Sequence, residues 1–213
     1  MSSIADIRTD YRQHALDEAA AADHPIRQFD RWWQEAVNSR IEEVNAMTLA
    51  TASSDGIPSA RIVLLKDYDD RGFVFYTNYN SFKGTQIEEN PRACIVFFWK
   101  ELERQVRITG VMEKVSAAES DAYFNSRPEQ SRLGAWASPQ SQVIPNRETL
   151  QIKLDELHQQ YSNGAVPRPP HWGGYRLKPV TIEFWQGRAS RLHDRLQYTL
   201  EESGKWKRER LAP

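Results

Sequence analysis

What this chain of 213 residues lacks narrows its function before any motif is read. It has a single cysteine, Cys94, so an internal disulfide is impossible. That residue sits in the apolar run Ala93 to Trp99 and reads as a buried structural thiol. An excess of either charge is missing: 28 Lys and Arg against 29 Asp and Glu leave a formal net charge of −1. Acids and bases are interleaved throughout, so no basic field points to nucleic acid or to a membrane surface. No apolar run approaches the about 18 residues of a membrane span, and nothing resembles a signal peptide, so a soluble cytoplasmic protein is expected. The five histidines have no ligand spacing, and no metal site is expected. The glycines fit neither a Rossmann nor a P-loop pattern. No Ser-His-Asp or Cys-His arrangement is apparent, which disfavours hydrolytic nucleophile chemistry. Repeats and low-complexity tracts are absent too.

What is present is a regular alternation of short elements. The first forty residues read as helical, with Ile26, Phe29, Trp33 and Val37 recurring as one apolar stripe after Pro25. Ala46 to Ala52 and Ala60 to Lys66 read as strands joined by the turn Ser53-Ser54-Asp55-Gly56. Phe73 to Asn78, Ala93 to Trp99 and Gln105 to Val115 read as further strands, with a short helix over Ser81 to Asn90. Ser116-Ala117-Ala118-Glu119 has capping-box spacing and predicts a helix that Pro128 ends. Asn146 to Tyr161 is a third helical segment, and Pro167 to Pro170 a stiff linker within the domain. Tyr175 to Leu211 alternates again and is expected to return as strands to the same sheet. The pattern suggests an antiparallel barrel with α-helical additions.

Several constellations could carry chemistry. Arg191-Leu192-His193-Asp194-Arg195 alternates like a strand, which would set Arg191, His193 and Arg195 on one face with neighbours roughly 6.5 Å apart. Such a row of cations needs a ligand, a partner chain or open water. Leu192 and Asp194 would share the other face, where Asp194 could anchor the strand. Arg61 and Lys66 flank an apolar strand and fall on opposite faces, either serving different groups or reaching solvent. Tyr76-Thr77 closes the next strand, and Ser81-Phe82-Lys83-Gly84 opens a helix whose free N–H groups suit a phosphate, although Ser81 could equally only cap it. Tyr123 and Arg127, at i and i+4, with Ser131 beyond, read either as a phosphate clamp or as a surface stack. Gly134 to Ala137 is small enough for close backbone approach and is followed by Gln140 and Ser141. Two phosphate-suited sets, several aromatics and an Arg/His face would suit a phosphorylated cofactor beside a phosphorylated substrate.

These segments resemble the pyridoxine/pyridoxamine 5'-phosphate oxidase family. The matching stretches are RIVLLK (Arg61 to Lys66), FYTNY (Phe75 to Tyr79), LERQVRI (Leu102 to Ile108) and YFNSRP (Tyr123 to Pro128). GAWASPQS (Gly134 to Ser141), HWGGYRL (His171 to Leu177), IEFWQG…RLHDR (Ile182 to Arg195) and ERLAP (Glu209 to Pro213) continue the match in order along nearly the whole chain.

The resemblance implies one domain over 1–213, mainly β with added helices (α+β): an FMN-binding split barrel of antiparallel Greek-key type, working as a homodimer with flavin at the subunit interface. A helical segment 1–42 would pack on the barrel or close over it. By the same resemblance Arg61, Ile62, Val63, Leu64, Leu65, Lys66, Tyr76, Thr77, Ser81, Phe82, Lys83 and Gln105 line one side of the flavin site. Gln140, Ser141, Trp185 and Arg195 complete it, some from the other subunit. Lys66, Tyr123, Arg127 and Ser131 would meet the substrate phosphate, Arg191, Leu192 and His193 the substrate ring, and Arg8 and Tyr11 would belong to a covering segment. Arg191 and His193 are the implied catalytic pair. Phe82 stands where family members often carry a second basic residue, which implies one phosphate contact either missing, with somewhat weaker FMN binding, or supplied elsewhere. The implied activity is oxidation of pyridoxine or pyridoxamine 5'-phosphate to pyridoxal 5'-phosphate, with dioxygen reduced to hydrogen peroxide. Another flavin enzyme on the same barrel and a non-catalytic carrier of FMN or pyridoxal phosphate are the rival readings.

Overall fold

Alternating apolar positions dictate a sheet with one buried face, and here that sheet curls until its ends meet. The computed structural model describes residues 3–6, 10–162 and 164–213. Among them the strands are β1 (Ala46–Ala52), β2 (Pro58–Leu64), β3 (Asp67–Asp69), β4 (Gly72–Asn78), β5 (Arg92–Trp99), β6 (Arg104–Lys114), β7 (Trp172–Gln186), β8 (Asp194–Leu200) and β9 (Trp206–Arg210). Every pairing is antiparallel, in the order β2-β1-β5-β6-β7-β4-β3, with β8 on the second half of β7 and β9 on β8. Chain continuity closes the ring. β2 runs through Leu65-Lys66 into β3, with Leu65 N–H donating to Asn45 O at 2.8 Å and Lys66 N–H to Val74 O at 2.9 Å. One bent strand thus joins the two ends of the sheet order. Pro179 lies in the middle of β7, where a register shift opposite Thr109 and Gly110 bulges the strand and tolerates the missing N–H.

The inward face carries Met47, Leu49, Phe73, Phe75, Ile95, Phe97, Val106, Ile108, Ile182 and Phe184, all buried. α1 (Pro25–Asn38) begins with Pro at its first position, where the missing N–H has no helical partner anyway. It plugs one end of the barrel: the fully buried Phe29 ring lies 4.9 Å from Tyr68 and from Phe73 and 5.3 Å from Phe97, centroid to centroid. Four further helices pack outside, α2 (Phe82–Glu89), α3 (Ala117–Ser126), α4 (Glu129–Ala137) and α5 (Glu148–Gln160). The expected capping box is present: Ser116 Oγ accepts from Glu119 N–H and the Glu119 carboxylate accepts from Ser116 N–H, each at 3.1 Å.

Three expectations need correction, and one helix has no expectation attached to it. Among the described residues of the first forty only Pro25–Asn38 is α-helical, beside a single 3-10 turn at Ile4–Asp6. The segment before α1 is a strap fastened from a distance, with Gln13 N–H donating to Glu103, Leu16 N–H to Asp194, and Tyr198 Oη to Ala22 O. The buried stripe of α1 is Ile26, Phe29, Trp32 and Ala36, leaving Trp33 half-buried and Val37 exposed, because the helix turns a neighbouring face to the barrel. Gly134 to Ala137, read only as a stretch of small residues, is the last turn of the unassigned helix α4, whose Leu133 and Ala137 bury against Leu157 of α5. Finally, the alternation over Arg191 to Arg195 is not strand throughout: β8 begins only at Asp194.

Phe29→Ala should destabilise the protein by about 3–5 kcal/mol, because it empties the aromatic plug that α1 contributes. Denaturant unfolding followed by circular dichroism checks this, with the midpoint falling and the slope unchanged.

Candidate functional site

A cleft of about 680 Å³ opens where β2, β4, α3 and α4 meet. Ile62, Val63, Leu64 and Lys66 form its floor, Tyr76, Thr77 and Asn78 the end of β4, and Tyr123, Arg127, Ser131 and Gln140 the opposite wall. Its lining holds three cations, Lys66, Lys83 and Arg127, and no carboxylate. β2 pairs only with β1 among the described strands, so its outer edge offers unpaired backbone N–H and C=O groups to the cleft.

The aromatic wall follows from local sequence. Tyr76 lies directly across from Gly174 in the β4–β7 ladder, and a Cβ at Gly174 would come within 2.8 Å of the Tyr76 ring. Glycine there lets the ring lie flat on the strand. Tyr76 then stacks on Tyr123 at 4.0 Å and on Trp172 at 5.6 Å, and its hydroxyl is pushed up to about 12, mainly by burial. Pro128 ends α3, so Arg127 is its extended C-cap rather than a helical i+4 partner of Tyr123. Its guanidinium lies over the Trp172 ring at 4.6 Å, with Nη1 buried and unpartnered. Burial also holds the Arg127 guanidinium below its usual range. A half-buried guanidinium whose Nη1 has no acceptor is the arrangement that a bound anion completes.

Lys83 sits beside this set and is bound only to neutral oxygens: Gln140 Oε1 at 3.1 Å, Thr77 Oγ1 at 3.2 Å and Ser81 Oγ at 3.3 Å. Burial, and then the nearby Arg61 charge, hold the Lys83 amine below its usual range. Arg61 stands behind it, with Nη1 donating to Thr51 Oγ1 and Nη2 to Ser59 Oγ, each at 2.6 Å, and burial lowers its pKa too. Ser81 is fully buried and does not line the cleft; its hydroxyl donates to Asn78 O and accepts the Gly84 N–H that it caps as well as Lys83 Nζ. Phe82 is exposed at the first turn of α2, Leu65 is buried in the core, and Ser141 is exposed with a left-handed φ of 71°.

The remaining candidates gather elsewhere on this chain. Gln105 and Trp185 pair across β6 and β7, and Trp185 pairs with Arg195 of β8, all half-buried on the outer sheet face. Arg195 is already engaged, donating to the buried Glu183 at 2.8 Å and to Ala212 O at 2.8 Å; Arg107 also binds Glu183. Arg191 lies in a 3-10 turn, Ala189–Arg191, in which Ser190 and Arg191 both have left-handed φ, 56° and 61°. Arg191 and Leu192 are therefore exposed turn residues, and the expected shared strand face for Arg191, His193 and Arg195 does not exist. Backbone curvature overrides the alternation. The His193 ring packs against Trp185 at 4.6 Å and Tyr11 at 6.1 Å. Its Nδ1 accepts the Arg188 N–H at 3.1 Å, which leaves the proton of neutral imidazole on Nε2. Burial, and then the Arg191 charge, push the His193 pKa down, with Asp194 opposing. Asp194 does anchor its strand, accepting from Leu16 N–H, Arg188 and Arg210. Arg8 lies outside the described residues. No group of three or more metal-ligating side chains is found among the described residues, and no helix among them is long and apolar enough to cross a membrane.

Sequence reasoning assigned no role to Trp172, Asn78 or Ser138, which also line the cleft. Only Trp172 carried a usable signal, an aromatic residue at a strand start beside two glycines.

The chain matches known proteins along most of its length. Residues 33–161 match the family described as Pyridoxamine 5'-phosphate oxidase, and residues 172–213 match the Pyridoxine 5'-phosphate oxidase C-terminal dimerisation region. A pyridoxine/pyridoxamine 5'-phosphate oxidase of Ralstonia pickettii is 59% identical over 213 residues, covering 100% of both chains. One from Trichormus variabilis is 57% identical over 211 residues, 99% of each chain. Among solved structures, PhzG from Burkholderia lata in complex with tetrahydrophenazine-1-carboxylic acid superposes with a TM-score of 0.89 at 33% identity, covering 96% of this chain and 100% of that one. A pyridoxamine 5'-phosphate oxidase-related, FMN-binding protein from Nostoc punctiforme shares the fold at TM-score 0.71 and 18% identity, covering 89% and 98%.

Because the cleft holds cations without carboxylates, inorganic phosphate should raise the melting temperature by mass action. Arg127→Met should lose most of that rise, whereas Lys178→Met, on an exposed strand position, should keep it. Equal phosphate stabilisation of wild type and Arg127→Met in thermal scans would refute the assignment.

Proposed function

The chain belongs to the pyridoxamine 5'-phosphate oxidase family, and from that premise we propose that it is an FMN-dependent oxidoreductase that converts pyridoxine 5'-phosphate and pyridoxamine 5'-phosphate to pyridoxal 5'-phosphate. Dioxygen is the electron acceptor and hydrogen peroxide is released; the amine substrate also yields ammonia after imine hydrolysis. The observation that carries this reading is the cleft with three cations, no carboxylate and a stacked aromatic wall. Those donors fit two phosphorylated, planar molecules. When bound, FMN supplies the acceptor for a hydride from the substrate C4' carbon.

The protein's own part is placement and electrostatics. The free edge of β2, Arg61 to Leu64, continued by Leu65 and Lys66, borders a flat heterocycle and offers it backbone donors and acceptors, and Lys83 with Arg61 behind it offers charge to the flavin phosphate. Tyr76, Thr77, Gln140 and Ser141 belong to the same side, with Ser81 and Phe82 acting through the start of α2. Lys66, Tyr123, Arg127 and Ser131 converge on one region and hold the substrate phosphate. Gln105, Trp185, Arg195, Arg191, Leu192 and His193 lie outside the cleft of one chain, so a second copy supplies them; the match of residues 172–213 to a dimerisation region supports this. His193, with its proton on Nε2, donates to the phenolic oxygen of the substrate ring, and Arg191 stabilises negative charge there. Tyr11, edge-on to Trp185 and tilted against His193, and the strap that carries it form the cover, to which Arg8 would add a basic group.

The likeness to PhzG supports a second reading, oxidation of an unphosphorylated ring carboxylate. Peroxide release from pyridoxine 5'-phosphate compared with pyridoxine separates the two: the phosphate cluster requires strong preference for the former. A purified protein without flavin absorbance that takes up no added FMN would sink the proposal. Arg127→Ala should raise KM roughly 10- to 100-fold, the equivalent of a lost charge-assisted contact, with a smaller change in kcat. Arg191→Ala should lower mainly kcat; equal loss of both parameters in both variants contradicts this division of labour. Protonated His193 cannot accept from Arg188. With its pKa lowered, the neutral form persists to below the ordinary 6.5 and is lost as pH falls through the folded value. The acid limb of kcat/KM is therefore expected below pH 6.5 and absent in His193→Asn.

A further inference from the structure

Between Gly187 and Asp194 the chain turns through two consecutive left-handed residues, Ser190 and Arg191, neither of them glycine. Such conformations are unfavourable and persist only where surrounding contacts impose them. Three contacts close this turn. Leu192 N–H donates to Ala189 O at 3.1 Å, Arg188 N–H to His193 Nδ1 at 3.1 Å, and Arg188 Nη1 to Asp194 Oδ2 at 2.9 Å. Asp194 is itself immobilised: Leu16 N–H donates to Oδ2 at 3.1 Å, and Arg210, held by Glu18 through two bonds, donates to Oδ1 at 2.8 Å. On the other side, Gly187 is pinned by Glu103 O at 2.7 Å, and a Cβ there would meet the Tyr11 ring at 2.7 Å.

We propose that Arg188 and Asp194 are positioning residues for the reaction: their ion pair clamps the turn so that the Arg188 N–H keeps hold of His193 Nδ1 and Arg191 keeps its strained backbone. The inference rests on the functional reading above only for what His193 and Arg191 do; the clamp is a property of this chain alone. The guanidinium acts at a distance, through the backbone donor of its own residue. Tethering one carboxylate to the strap, to β9 and to this turn makes Asp194 the point at which the cover and the His193 ring are held in common register. The charges that act on the imidazole are Arg191 and Asp194 from its own loop, and around it lie the Arg188 backbone N–H, the Tyr11 phenol from the strap and the Trp185 ring from β7.

The test uses Arg188→Met, Arg188→Lys and Asp194→Asn in the full-length protein. The His193 imidazole titration is followed by NMR without flavin or substrate, and kcat and KM are measured with FMN and pyridoxine 5'-phosphate. Arg188→Met should move the His193 titration upward, because it takes a counter-charge off Asp194, whose carboxylate favours the charged ring, and loosens the N–H bond that favours the neutral one. It should lower kcat about fivefold, as for loss of one partly exposed ion pair, and leave KM near wild type. Arg188→Lys should restore both readouts in large part. Asp194→Asn should lower kcat at least as far, and adding Arg188→Met to it should cost little more, as for two residues acting as one pair. An unmoved His193 titration in Arg188→Met, or additive kcat losses in the double variant, would overturn the clamp. Absence of turnover in wild type would instead strike the functional reading and leave the NMR result to stand or fall separately.

Discussion

Strand β7 carries hydrogen-bonded ladders to three other strands, β4 and β6 over its first half and β6 and β8 over its second. At roughly 3.3 Å per residue it spans about 45 Å, long enough to reach both functional regions. Its first residue, Trp172, backs the stacked tyrosines of the cleft. Further along, the buried Arg176 binds Asp69 and Glu119, tying the strand to β3 and α3. Its last residue, the fully buried Gln186, accepts from Arg104 and donates to the carbonyls of Leu102 and Glu103. The turn that bears Arg191 and His193 leaves directly from this anchored end. Position at both regions thus depends on one rigid ladder.

Charge is distributed in opposite ways on the two sides of the molecule. In the cleft Lys66, Lys83 and Arg127 face neutral oxygens and aromatic rings, and burial makes the charged forms of Lys83 and Arg127 costly. On the outer sheet face Arg195 shares Glu183 with Arg107, and Arg210 shares Asp194 with Arg188. The first arrangement favours an incoming anion, while the second orients side chains that already have counter-charges. A chain with almost no net charge can therefore still present a local anion site.

The clearest sequence signals were those in which one local rule decides the outcome. The capping box at Ser116 and the turn at Ser53 to Gly56 appear where the residues place them, because each is completed within four or five positions. Signals failed where the partners are far apart in the chain. The strap before α1 is extended because Glu103, Asp194, Tyr198 and Arg210 bind its backbone. α4 is helical because Leu133 and Ala137 find cover against α5 and Trp172, although its own residues carry no clear helical pattern.

The sequence by itself determined the alternation that makes a mainly antiparallel sheet, the helix starts, and the ordered motifs that mark the family. It also named the residues that converge at the cleft, Lys66, Tyr123, Arg127 and Ser131, through resemblance rather than spacing. Only the tertiary structure decided that the candidates fall into two groups on one chain, and that Arg191 leaves the strand face in a strained turn. Periodicity describes where side chains point along a regular strand; it cannot foresee that contacts from residues 16, 103, 188 and 210 bend the backbone just where the regularity was read.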